Sequence, residues 1–147
     1  GVAALAQLRR MVPLAPDVQA IDGGTQGVYL LPTVQAATRL LVLDALDLGA
    51  EPGTIRVLRD DAVPRFAGAQ KLDLHQTSFM EVLQMAEFLG GLPDELVLVG
   101  LQPERLGPFG AGLSTPVARA LDTAVATARA ELAGWHALAP EPAGTAG

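Results

Sequence analysis

The chain has 147 residues, 50% of them hydrophobic and 18% charged, with 10 Lys and Arg against 16 Asp and Glu and a formal net charge of −6. This length corresponds to about one domain, and the hydrophobic content excludes a disordered body. The acidic balance argues against a nucleic-acid or anionic-membrane surface. The absence of cysteine excludes disulfides and thiolate metal sites. No apolar run reaches the roughly 18 residues of a membrane span, so we expect a cytoplasmic protein.

The N-terminal part of the chain alternates short apolar segments with turns. Apolar residues at helical spacing predict a helix over residues 2–12. Residues 18–21 predict a short strand that runs into a glycine-rich turn at residues 22–25. Residues 28–38 predict a helix, because the proline in this segment falls within its first turn.

Two strands are expected in the middle of the chain. Residues 39–43 form a continuous apolar run that ends at Asp44, which is typical of a strand buried on both faces of a parallel sheet. After a turn at residues 50–53, residues 54–59 alternate well enough for an edge or half-buried strand.

The C-terminal part contains two helices, a strand and a long loop. Residues 78–89 predict an amphipathic helix that ends at a glycine pair. Residues 96–100 predict a second doubly buried strand, followed by an aperiodic loop over residues 102–113. A last helix is capped by Ser114 or Thr115 and runs to residue 134.

This alternation of helices and buried strands predicts an α/β three-layer sandwich with a mostly parallel, twisted sheet flanked by helices. We assign residues 1–138 to a single domain and residues 139–147, rich in Pro, Gly and Ala, to a disordered tail. Ligands of such sheets gather outside the carboxyl ends of the strands. This rule points to Asp22 and Asp44, which both follow predicted strands.

Asp44 and His75 are the candidate chemical residues. A carboxylate after an apolar strand needs a hydrogen-bond partner or a cation to offset its loss of water, although Asp44 could also cap the following turn. His75 precedes a predicted helix, where it could be a ligand, an acid–base group or a cap. Together they supply two ligands of a mixed oxygen and nitrogen site for a divalent metal.

Other motifs are weaker. The turn that starts at Asp22 fits neither the dinucleotide fingerprint nor the Walker pattern, and it could simply join a strand to a helix. A catalytic triad of Ser78 or Ser114 with His75 lacks the Gly-x-Ser-x-Gly elbow. His136 follows the last helix and is predicted to lie on the surface.

Several short segments in a fixed order carry a family resemblance. They are IDGGT at 21–25, LVLDA at 41–45, PGT at 52–54, LRDDAVP at 58–64, LHQ at 74–76, LVLVGLQPE at 96–104 and GLSTPV at 112–117. In this order the chain resembles the hydrogenase maturation endopeptidases, which trim the C-terminal extension from the large subunit of nickel-iron hydrogenases. The resemblance covers nearly the whole chain.

The resemblance implies a twisted sheet flanked by helices and a divalent cation site with three protein ligands. Two of these ligands, an Asp after a buried strand and a His in a loop before a helix, fall on Asp44 and His75. The third is an acidic residue of an N-terminal strand and turn, which we expect upstream of Gly1.

The implied function is removal of the C-terminal extension of a hydrogenase large-subunit precursor after nickel insertion. Asp44 and His75 would complete the coordination of the precursor's nickel and would also serve the cleavage. The resemblance leaves open whether Asp44 activates a water or the cation polarises the scissile carbonyl. The expected metal is thus the nickel of the substrate.

The glycine turn resembles a segment implicated in substrate recognition, which assigns that role to Asp22, Gly23, Gly24 and Thr25. The expected partner is the precursor alone, bound by a monomer without nucleic acid or membrane. One alternative is a non-catalytic assembly chaperone that binds the same precursor. Another is a nucleotide- or methyl-donor-binding domain that uses Asp22 and the glycines.

Overall fold

The computed structural model describes residues 14–21, 27–69, 79–103 and 115–138 of the chain. A short 3-10 helix, Gly27–Leu30, leads into α1 (Leu31–Ala36), and then follow β1 (Arg39–Ala45), β2 (Ile55–Arg59), α2 (Ala62–Ala69), α3 (Phe79–Phe88), β3 (Glu95–Leu101) and α4 (Thr115–Gly134). The predicted helix over residues 2–12, most of the loop 102–113 and the tail 139–147 lie outside the described residues.

The three strands form one mixed sheet in the order β1-β3-β2, with β3 in the middle. β1 and β3 are parallel, so that Arg39 lies opposite Glu95 and Ala45 lies opposite Leu101. β2 runs antiparallel to β3. Because β3 is paired on both edges and covered on both faces, each of its residues after Glu95 is buried. The described part of the sheet thus has one parallel and one antiparallel ladder.

Alternate strand residues point to opposite faces of the sheet. On the face that we call the α1–α3 face, Val42 and Leu98 pack with Val34 of α1, Val63 of α2 and Leu83 of α3. On the opposite face, which we call the α4 face, α4 covers the sheet. The α4 face contains the buried strand residues Val97 and Val99, packed against Ala124 of α4, and the half-buried Leu41 and Leu43. The predicted three-layer α/β architecture is confirmed.

The strands predicted at residues 39–43, 54–59 and 96–100 and the helix ending at residue 134 are confirmed within a residue or two. The glycine pair also ends α3 as expected. Gly90 has a φ of 74°, and the Gly91 N–H donates to the carbonyl of Ala86 over 2.8 Å. This bond satisfies a carbonyl that the helix end would otherwise leave without a donor.

The strand predicted at residues 18–21 is wrong. The Val18 N–H donates to the carbonyl of Ala15 in a turn, and the Ala15 N–H donates to the carbonyl of Ala137 over 2.8 Å. This segment therefore pairs with the chain after α4 instead of joining the sheet. Val18 packs against the α4 face, which sequence patterning does not distinguish from strand pairing.

Two helical regions also differ from the sequence prediction. The helix expected over residues 28–38 is a 3-10 turn followed by α1, and it ends at Ala36. The sequence patterns predicted no helix at the residues of α2, which lie between the strand at 54–59 and the helix at 78–89. Pro64 stands at the third position of α2, where its missing N–H would have no partner within the helix in any case.

Candidate functional site

Asp44 lies near the end of β1, at the carboxyl edge of the parallel ladder. It is directly opposite Gly100 of β3, and Gly100 is in turn opposite Arg56 of β2. Residues opposite each other in neighbouring strands point to the same face, so these three residues form one row across the α1–α3 face. The row lies at the edge of the sheet where parallel strands present ligand sites.

The Asp44 carboxyl lies in a partly dehydrated environment. Burial raises its pKa above the ordinary value of 3.8, and a hydrogen bond from the Ala45 backbone N–H opposes this shift without cancelling it. None of the ion pairs between described residues includes Asp44. A carboxylate of this kind gains from a bound cation, and it can also take up a proton more readily than an exposed one.

The loop after β1 folds over the same face. Leu46 and Leu48 belong to the buried cluster of the α1–α3 face. A Cβ atom added to Gly100 would lie 3.4 Å from Cδ1 of Leu46 and 3.6 Å from Cδ2 of Leu48. These two residues, which we call the leucine pair, therefore reach the space above Gly100. Since Gly100 is the register partner of Asp44, the leucine pair lies one strand away from the carboxylate.

Gln102 holds this loop with its side-chain amide. It is a buried polar residue, 8% exposed, directly after β3. Its Oε1 accepts the Leu48 N–H over 2.5 Å and the Ala50 N–H over 3.4 Å, while its Nε2 donates to the carbonyl of Pro103 over 3.3 Å. The sequence predicted Gln102 only as the first residue of an aperiodic loop, so this role was missed. A polar residue between a fully buried strand and a proline was the available signal.

The turn before β2 is hydrogen-bonded to the backbone of the same residue, Gln102. The Gly53 N–H donates to the carbonyl of Gln102 over 2.9 Å, and the Gln102 N–H donates to the carbonyl of Thr54 over 2.8 Å. Gly53 has a φ of 90°, and a Cβ atom there would lie 2.9 Å from the carbonyl oxygen of Pro116. Only glycine fits this close approach between the turn and the start of α4.

Most of the other predicted site residues lie outside the described residues. These are Asp22, Gly23, Gly24 and Thr25 of the glycine turn, His75, and the serines Ser78 and Ser114. Their assigned roles therefore stay predictions, and Asp44 is the candidate whose surroundings can be examined.

His136 lies on the surface, as predicted. It is exposed in the turn that follows α4, with a φ of 56°. Its neighbour Trp135 packs half-buried against the α4 face. His136 is therefore separated from the row of Asp44, which lies on the opposite face of the sheet.

Within the ranges described above, no group of three or more His, Asp or Glu side chains is arranged to hold a metal ion. None of the helices in that part of the chain has both the length and the hydropathy that a membrane crossing requires. Asp44 can contribute one oxygen ligand to a metal, and further ligands would come from outside these ranges or from a substrate.

Comparison with known proteins gives a consistent result. The profile of the family "hydrogenase maturation protease" matches residues 2–131. The hydrogenase expression/formation protein HoxM of Cupriavidus necator is 48% identical over 125 residues, which are 85% of this chain and 62% of HoxM. The corresponding protein HupD of Rhizobium leguminosarum is 44% identical over 147 residues, covering 99% of this chain and 73% of HupD. The chain thus spans about two thirds of the length of these relatives.

A solved structure has the same fold. The hydrogenase maturating endopeptidase HybD from Escherichia coli superposes with a TM-score of 0.78 at 33% sequence identity, over 90% of this chain and 82% of HybD. The similarity therefore extends over most of the chain.

Proposed function

Because this chain belongs to the hydrogenase maturation protease family, we propose that it cleaves the C-terminal extension from a hydrogenase large-subunit precursor. We further propose that cleavage follows nickel insertion. The observation that carries the proposal is the position of Asp44 within the matched region, at the carboxyl edge of the sheet and with a pKa raised by burial. That carboxylate is available for a cation or a proton.

In this proposal Asp44 recognises the nickel of the precursor. Ni²⁺ accepts carboxylate oxygen and imidazole nitrogen together. A carboxylate that has lost part of its water recovers electrostatic stabilisation when a cation binds. The metal belongs to the substrate, so binding of the metal by the enzyme is what distinguishes a nickel-loaded precursor from an empty one. Cleavage of a precursor without nickel would then be disfavoured.

The remaining site residues complete the proposal as predictions. His75 would be the nitrogen ligand, and an acidic residue upstream of Gly1 would be the third ligand. Asp22, Gly23, Gly24 and Thr25 would let the backbone of the precursor approach closely, because two of these residues have no side chain. Each of these roles can be tested separately from that of Asp44.

The test uses the intact mass of a purified large-subunit precursor, incubated with the full-length protein, with and without nickel loaded. We expect loss of a C-terminal peptide in the nickel-loaded sample alone. Asp44→Asn removes the charged ligand at almost constant volume, and it is expected to lower the cleavage rate by about 10²- to 10⁴-fold, as for loss of a group that acts in the transition state.

Asp94→Asn is the matched control. Asp94 is an exposed carboxylate just before β3, at the opposite end of the β1–β3 ladder from Asp44. This variant should cleave at the wild-type rate. Precursor binding without any change in mass would contradict the proposal in favour of a non-catalytic chaperone. Full activity of Asp44→Asn would contradict the assignment of the site.

A further inference from the structure

The buried amide of Gln102 has a function beyond filling the core. Its Oε1 accepts two backbone N–H groups of a loop that is about fifty residues distant in sequence. That loop begins after Ala45, the last residue of β1 and the neighbour of Asp44, and its first residue Leu46 donates its N–H to the carbonyl of Leu101 over 3.0 Å. Gln102 is thus the side chain through which β3 fixes the exit of β1.

The anchored loop packs over the register partner of the carboxylate. Leu48, whose N–H Gln102 binds, is a member of the leucine pair above Gly100. Gly100 is the register partner of Asp44. A loop that moved away would open the space above Gly100 to water and release the backbone immediately after Asp44. The carboxylate would then lose both its dry surroundings and its fixed orientation.

An uncharged anchor suits this position. Gln102 offers an acceptor and a donor without net charge, so it can satisfy buried backbone groups without adding a charge next to Asp44. A lysine or arginine has no acceptor for the two N–H groups. A hydrophobic side chain would leave the Leu48 N–H buried without a partner, which is unfavourable in a low-dielectric interior.

We propose that Gln102 is a positioning residue for nickel recognition, which holds the loop at residues 46–50 so that the Asp44 carboxylate keeps the orientation that the metal requires. This inference rests on the proposed function. Outer partners of metal ligands typically change metal affinity by about 10- to 100-fold when they are removed. We expect an effect of that size from Gln102, although it does not touch the metal.

The test compares Gln102→Met with wild type in the full-length protein. Ni²⁺ affinity is measured by calorimetric titration with a nickel salt, and cleavage of the nickel-loaded precursor is measured as kcat and KM. We expect a Kd for Ni²⁺ that is about 10- to 100-fold higher, with a raised KM. Gln102→Glu retains an oxygen acceptor at the same reach but loses the donor to Pro103 and adds the charge that the amide avoids, so it should not restore the wild-type Kd.

Val125→Ala is the control for general destabilisation. Val125 is 2% exposed and belongs to α4, on the opposite face of the sheet. This variant should lower the melting temperature but leave the Kd for Ni²⁺ unchanged. A shift in Kd for Gln102→Met that is no larger than that of Val125→Ala overturns the inference and leaves the proposed function standing. A wild-type protein that neither binds nickel nor cleaves the precursor overturns both.

Amide hydrogen exchange tests the anchor in the wild-type protein and does not depend on a variant that folds. We expect the Leu48 amide to exchange as slowly as the amides of β3, because its donor is engaged by a buried acceptor. Rapid exchange at Leu48, with slow exchange in β3, would show that the loop opens independently and would overturn the inference.

Discussion

The two ends of the β1–β3 ladder contain charged residues in opposite situations. At the amino end, the register partners Arg39 and Glu95 form an exposed ion pair with a separation of 3.1 Å, and Arg39 also donates to the carbonyl of Trp135. At the carboxyl end, the register partner of Asp44 is Gly100, which has no side chain. Burial raises the pKa of Asp44 instead of a partner lowering it.

This difference separates an end of the ladder whose charges are paired within the fold from the end where we propose the functional site. At the amino end, the charges of Arg39 and Glu95 are paired with each other, so a charged ligand would gain little electrostatic stabilisation there. The carboxyl end keeps a partly buried carboxylate, and the leucine pair of the loop held by Gln102 lies above its register partner Gly100. Functional sites commonly depart in this way from the arrangement that stability alone would favour.

The largest effect on stability is expected from a substitution at the middle of the ladder, which both ends depend on. Leu98 lies at the middle of β3, fully buried between Val42 and Leu58 of the neighbouring strands. Leu98→Ala should lower the free energy of unfolding by about 2–5 kcal/mol, through lost apolar burial and the cavity left behind. Chemical denaturation followed by circular dichroism measures this loss.

Leu89→Ala is the matched control for this prediction. Leu89 is 56% exposed after α3, so the same truncation should change the stability by less than about 0.5 kcal/mol. We also expect the fluorescence of Trp135 and the circular dichroism of Leu98→Ala to report a single coincident transition. Two separate transitions would mean that the ends of the ladder unfold independently.

A smaller effect, opposite in sign, is expected from Asp44→Asn. Because the pKa of Asp44 is raised in the folded state, the folded protein binds more protons than the unfolded chain between pH 3.8 and the folded pKa. Wild-type stability therefore falls as the pH rises through this window. Because Asn does not ionise, the variant lacks the cost of a partly buried charge, and it should be more stable than wild type at pH 7. We expect it to lose activity at the same time.

The difference in melting temperature between Asp44→Asn and wild type should shrink as the pH is lowered, and it should vanish below pH 3.8. A variant that is less stable than wild type at pH 7 would show that the fold compensates the Asp44 charge. The contrast between the two ends of the ladder would then fail.

The smallest effect is expected in the ion pair of Arg59 and Glu131, which joins the end of β2 to α4. Arg59 Nη1 donates to Oε2 of Glu131 over 2.8 Å, and a second contact joins Nη2 to Oε1. The hydrogen bond from Arg59 lowers the pKa of Glu131, so the pair contributes stability above pH 4.5 that is lost as the pH falls through the folded pKa. Exposure of Arg59 keeps the contribution small.

Glu131→Gln should therefore lower the melting temperature slightly at pH 7 in low salt, with the difference reduced by added salt and by acid. Glu87→Gln, at an exposed position of α3, is a suitable control for the change in net charge. A loss of stability for Glu131→Gln as large as that of Leu98→Ala would contradict the expectation that this exposed ion pair contributes little.

Local patterns in the sequence were sufficient for the strands at residues 39–43 and 96–100. An unbroken aliphatic run has few alternatives to a strand buried on both faces. The same patterns placed Asp44 at the end of its strand and identified the family through the order of short motifs. They could not show that β2 runs antiparallel to β3, since the alternation of a strand is identical in either direction.

The tertiary structure alone decided how distant segments are paired. Residues 18–21 have strand-like composition, yet Ala15 and Val18 are hydrogen-bonded in a turn beside the chain that follows α4. In the sequence, Gln102 does not differ from other loop residues. Its role follows from the backbone N–H groups of Leu48 and Ala50, which donate to it in the folded chain. The sequence by itself determined which residues are buried and where a carboxylate ends a strand, because burial follows from local periodicity. The partner of a hydrogen bond is not encoded locally, so the anchoring of that carboxylate emerged only in the folded chain.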